Sequence, residues 1–130
     1  MSKTNDLLYG KKSECEIIKV LQAQYENVKQ TKQNHPFDFI AENTYFELKS
    51  RRCNHDTYPD TMIGFNKIQY ARQYPDKNYV FLFKFIDGLY KHHFIPEKQY
   101  TLRQGGRYDR GQPEIKQYAY IPISDLTLFN

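Results

Sequence analysis

Asp38, Glu47 and Lys49 are the residues of this chain whose types and spacing could do chemistry, and all three fall within FDFIAENTYFELKSRR, Phe37 to Arg52. Side chains alternate faces along an extended strand, so Glu47 and Lys49 emerge together while Phe46 and Leu48 point into the opposite layer. A tight turn at Ala41-Glu42-Asn43 makes a hairpin that brings Asp38, on the preceding short strand, beside Glu47. Two carboxylates then offer hard oxygen ligands to Mg²⁺, with the Lys49 ammonium next to the ion, an arrangement that fits metal-assisted phosphodiester cleavage. A solvated strand face is the plainer explanation of the same spacing. Against it stand Phe37, Phe39, Ile40, Tyr45, Phe46 and Leu48, which read as central, buried strands where a charge needs a partner or a metal.

The elements that must position these groups follow from periodicity. Ser13 to Tyr25 reads as a helix, with Ile17, Ile18, Leu21 and Tyr25 in one apolar stripe. Glu14 sits on that stripe and points toward the sheet from the first turn; its plainer role is to favour the positive helix N-terminus. Ser13-x-x-Glu16 is a capping box, which makes Glu16 structural. The polar segment Asn27 to Gln33 is an edge strand. Ser50 to Asp60 is a loop, and its Arg51 and Arg52 either contact a phosphate backbone or are ordinary solvated cations.

Thr61 to Gln73 has helical spacing, capped by Asp60 or Thr61, with Met62, Phe65 and Ile68 or Gln69 on one side. Asn78 to Ile86 is a buried strand, and Asp87-Gly88 turns it into a partner, Leu89 to Ile95. In the last part, Pro96 to Asn130, Gln104 to Gln112 reads as a flexible basic loop. Lys116 to Ile123 is one more strand, followed by a terminal turn from Ser124.

With Pro36 and Asp38 near a "PD" element and Glu47-Leu48-Lys49 as "(D/E)xK", the chain resembles the PD-(D/E)xK nuclease superfamily from about residue 8 to residue 85. The resemblance implies an α/β fold with a restriction-endonuclease-like core: a mixed β-sheet flanked by helices in the order αβββαβ, here with an extra C-terminal hairpin or strand. It implies a divalent-metal-dependent endonuclease acting on DNA and leaving a 5′-phosphate and a 3′-hydroxyl. Asp38, Glu47, the Leu48 carbonyl and Glu14 would hold Mg²⁺, with Mn²⁺ as a substitute. Lys49 would orient or deprotonate the attacking water or stabilise developing charge. Lys67 or Gln69 would sit near the scissile phosphate, and Arg51, Arg52 and the Arg103 to Arg110 segment, Arg107 included, would make sequence-independent phosphate contacts.

Small members of the superfamily include Holliday junction resolvases, phage and viral DNA-processing enzymes and compact restriction endonucleases, commonly homodimers. A length of 130 residues leaves little room for a target-recognition domain, which favours structure-selective or weakly specific cutting. Three other readings stay open: a compact type II restriction endonuclease, a non-catalytic basic nucleic-acid-binding module, and a structural protein with an acidic strand face that is indifferent to metal.

Composition bounds the rest. The length suits one domain. A net charge of +4 and a pI near 9.0 suit a polyanionic partner. Twelve Tyr and nine Phe, with no Trp, furnish an aromatic core and faces on which bases could stack. No apolar run is long enough to span a bilayer and no signal peptide is evident, so an intracellular, cytoplasmic setting (a host cell, if viral) with reduced Cys15 and Cys53 is expected. Cys53-Asn54-His55 with His92-His93 matches no familiar zinc spacing.

Overall fold

Alternation of buried and exposed residues shapes most of the molecule, for which a computed structural model describes residues 14–107 and 114–129, the side chains of residues 106, 107, 114 and 115 apart. Helix α1 covers residues 14–22 of the described chain and buries Ile17 and Leu21. Ser13 lies outside the described residues, and with it the capping box; Glu16 forms an ion pair with Lys84.

Strands β1 (Lys29–Gln30), β2 (Phe39–Ala41) and β3 (Thr44–Ser50) form an antiparallel meander. Its two-residue turn places Glu42 at φ 55°, and Ala41 pairs with Thr44, as the hairpin reading requires. The chain continues through β4 (Asp60–Gly64), α2 (Phe65–Gln73), β5 (Asn78–Phe85), β6 (Gly88–His93), β7 (Thr101–Arg107) and β8 (Glu114–Pro122). A 3-10 turn at Ile123–Asp125 and β9 (Thr127–Leu128) follow.

Two sheets result, a mixed one in the order β1-β2-β3-β5-β6-β9 and an antiparallel one in the order β4-β8-β7. β5 runs parallel to β3 with Glu47 opposite Phe81. One face of the larger sheet packs Phe46, Leu48, Val80 and Leu82 against Ile17 and Leu21 of α1. The other packs Phe81, Phe83 and Phe85 against Ile68 and Ala71 of α2 and Ile63, Ala119 and Ile121 of the smaller sheet. Both faces of β3 and β5 are therefore covered, which is why β5 reads as an unbroken aromatic and aliphatic run.

Several boundaries differ from the sequence reading. The expected helix from Thr61 begins instead as β4, where Thr61 and Ile63 are buried and Met62 is exposed, the period of a strand. Pairing of Met62 with Tyr120 overrides the local helical spacing, and Gly64, at φ −58° and ψ 136°, is the junction to α2. The β5–β6 turn is Ile86-Asp87 and not Asp87-Gly88, because Gly88, at φ 154°, already pairs with Phe85. The first residues of the expected basic loop, Gln104 to Arg107, belong to β7; residues 108–113 lie outside the described residues. The C-terminal hairpin, β7 with β8, joins β4 in the second sheet rather than extending the first.

Candidate active site

The site is built where β2 meets β3. The ladder pairs Phe39 with Phe46, yet the Asp38 amide also donates to the Phe46 carbonyl at 2.9 Å, so two residues oppose one as in a β-bulge. Side-chain alternation breaks there: Phe39 packs on the α1 side and Phe37 on the α2 side. The bulge leaves the Asp38 carboxylate beside Glu47, with its Oδ2 accepting the Leu48 amide at 2.9 Å.

Leu48 contributes its backbone for a related reason. The Arg51 amide donates to the Lys84 carbonyl at 2.8 Å, so the hydrogen-bonding groups of residues 47, 49 and 51 face β5 and those of Phe46 and Leu48 face β2. β2 starts opposite Phe46. The Leu48 carbonyl therefore looks into the gap beyond the start of β2, on the same edge as Asp38.

Glu47 is the electrostatic centre. Its side chain is only 3% exposed, with Lys67 Nζ 3.2 Å and Lys49 Nζ 3.6 Å from Oε2. Burial, then a hydrogen bond and repulsion from Asp38, push its pKa up to about 8, against the opposing pull of Lys49 and Lys67. Glu47 therefore keeps its proton near neutral pH in the metal-free protein, because burial penalises its ionised form by more than the two ammonium groups return. Two adjacent carboxylates with hard oxygen donors, and a backbone carbonyl on the same edge, fit a divalent cation such as Mg²⁺.

Lys49 and Lys67 divide their work by exposure. Lys49 is 39% exposed, so its ammonium reaches solvent and whatever lies over the site. Lys67, in the first turn of α2, is 16% exposed and also donates to the Pro36 carbonyl, which ties α2 to the segment before Asp38. Gln69, the alternative on this helix, is exposed, because Ile68 and Ala71 are the residues that α2 buries.

The remaining candidates lie elsewhere. Glu14 is half-buried at the start of the α1 stripe, and α1 packs on the face of the sheet opposite to the Glu47 side chain. Arg51 continues the Glu47–Lys49 face, but its guanidinium donates to the Met62 carbonyl at 2.7 Å and to Thr61 Oγ1 at 3.4 Å, fastening β3 to β4. Burial pulls its pKa below the ordinary arginine value. Arg52 is exposed in the following loop. Arg107 ends β7, and its side chain is outside the described residues. Two of the three histidines of the unmatched zinc spacing are separately engaged: His92 with Tyr100 and the Asp125 carbonyl, His55 with Asp87.

His35 and Tyr70 belong to the site's support and carry no motif. The Phe37 amide donates to His35 Nδ1 at 3.0 Å, which leaves Nε2 to donate to the Tyr70 hydroxyl at 3.1 Å. The imidazole also stacks on Tyr45 at 4.8 Å. The segment leading into Asp38 is thereby pinned to α2. The one sequence signal is the position of His35, directly before Pro36.

A family model described as "Phage putative PDDEXK endonuclease" matches residues 8–129. The chain belongs to that PD-(D/E)xK family. The match extends past residue 85 and takes in the residues that here form the second sheet and β9. No curated protein and no solved structure matches the chain. Membership implies a nuclease and a nucleic-acid substrate. Among the described residues no helix is long and apolar enough to cross a membrane.

Proposed function

We propose that the chain is a metal-dependent endonuclease that hydrolyses DNA phosphodiester bonds at Asp38, Glu47 and Lys49, on a restriction-endonuclease-like core formed by α1, β1, β2, β3, α2 and β5. The observation that carries this reading is the Asp38–Glu47 pair, Glu47 buried and Asp38 half-buried, with the Leu48 carbonyl on its edge and Lys49 beside it.

Asp38, Glu47 and the Leu48 carbonyl would hold Mg²⁺, and Glu14, on α1 across the sheet, is left out of this set. Bound there, the ion supplies polarisation of the phosphate and a lowered pKa for the attacking water. Lys67 lowers the raised pKa of Glu47 by its ammonium and holds the Asp38 segment against α2. Lys49 donates hydrogen bonds over the site, where it orients the water and offsets charge developing on the phosphoryl oxygens. Attack at phosphorus breaks the bond to the 3′-oxygen, which leaves a 5′-phosphate and a 3′-hydroxyl. Structure-selective or weakly specific cutting by a homodimer, one site per strand, follows from the same reading.

The test is cleavage of linear duplex, single-stranded, flap and four-way-junction DNA in Mg²⁺, Mn²⁺ or EDTA. Cutting that requires metal and disappears in Asp38→Asn and Lys49→Ala is the expected result. Salt-sensitive binding without cutting, unchanged by either substitution, would leave a DNA-binding module instead.

A further inference from the structure

Beyond Arg51, on the strand face that carries Glu47 and Lys49, lies a pocket of about 340 Å³ whose walls include Arg51, Tyr58, Met62, Phe85, Arg103 and Tyr120. Its volume is that of a small-molecule site. Tyr58, in the loop before β4, is 63% exposed and Met62, on β4, is 38% exposed, so both offer apolar surface to a ligand there. The Arg103 guanidinium lies 4.6 Å over the Tyr120 ring and 3.9 Å from Asp60. Of the charged residues that line the pocket, two are arginines and one is an aspartate.

Aromatic faces beside guanidinium groups suit a planar base attached to a phosphate, since stacking accepts any base and the cations track the backbone. The pocket also has a fixed relation to the candidate active site. Arg51 lies four residue steps along the chain from Glu47, just past the end of β3, about 13 Å of extended backbone, which one strand of duplex covers in about four steps and an extended strand in fewer. The β4–α2 segment runs back alongside, from Thr61 at the pocket to Lys67 at Glu47. A single nucleic-acid strand could therefore touch both places.

We propose that this pocket receives one unpaired nucleobase of the DNA strand whose phosphate lies at Glu47 and Lys49, an inference that rests on the nuclease reading. A paired base is stacked and turned toward its partner, and enters such a pocket only when extruded. The preferred substrate is therefore single-stranded, branched or unpaired close to the cut.

The test measures binding in EDTA by the full chain, with DNA carrying 2-aminopurine at successive positions of a single-stranded arm, against a fully paired duplex of the same sequence. Quenching at one or two positions of the arm is expected. Tyr58→Ala should relieve it and weaken binding of the armed DNA by about tenfold while duplex binding is unchanged, and Tyr58→Phe should restore both. Truncation at so exposed a position leaves the core intact. Equal losses on armed and paired DNA, or no position quenched, would overturn the proposal. The readout needs no cutting, so absence of cleavage in Mg²⁺ would count against the nuclease reading alone, and Tyr58-dependent stacking would still decide the pocket.

Discussion

At the scale of single residues, Glu47 ties stability to pH. Its pKa lies at about 8 in the folded chain against an ordinary 4.5, so between those values the metal-free folded state keeps a proton that the unfolded chain has released. Stability then falls as pH rises, by up to about 1.4 kcal/mol per unit. Urea unfolding in EDTA should show a less stable protein at pH 8 than at pH 5.5, Glu47→Gln should lack most of the difference, and Mg²⁺ should reduce it by replacing the proton. An equal pH slope in Glu47→Gln would place the effect elsewhere. Lys67 acts on the same group from α2. Lys67→Met removes one of the two cations that lower the Glu47 pKa, so the rising limb of the pH–rate profile should move to higher pH, with cleavage at neutral pH reduced by about 10²-fold. A lower rate with an unmoved profile would show that Lys67 is only a packing residue.

Elements show where sequence was sufficient and where it was not. The β2–β3 hairpin was legible because its turn, its alternation and its buried aromatics agree locally, and so was β5. β4 was not, since Thr61 to Gln73 carries helical spacing and the partner that makes Thr61 to Gly64 a strand, β8, comes more than fifty residues later in the sequence. The bulge at Asp38 also left no local mark, although it decides where the carboxylate points. Arg51 shows the same limit: a basic loop residue by sequence, it serves as the clasp between β3 and β4. Arg51→Ala leaves the Met62 carbonyl without its guanidinium donor and should cost about 1–3 kcal/mol in urea unfolding. No change in stability would mean that the clasp is idle and the side chain is free for phosphate.

For the whole molecule, the arrangement joins a family signature to a compact fold. The mixed sheet is covered by α1 on one face and by α2 with a second sheet on the other, and the carboxylates open at the one place where β2 falls short of β3. The surplus of positive charge, +4 overall, should make affinity for nucleic acid fall with salt, whatever its sequence. Twelve tyrosines are not all needed by the core, as the exposure of Tyr58 shows.

Endonuclease action is tested most directly on DNA without ends. Covalently closed single-stranded circles and negatively supercoiled plasmid, incubated with the wild-type chain in Mg²⁺, should be opened, and neither EDTA nor Glu47→Gln should give a product. Circles left closed in Mg²⁺ and in Mn²⁺, or opened equally by Glu47→Gln, would contradict the assignment of catalysis to the Asp38–Glu47 pair.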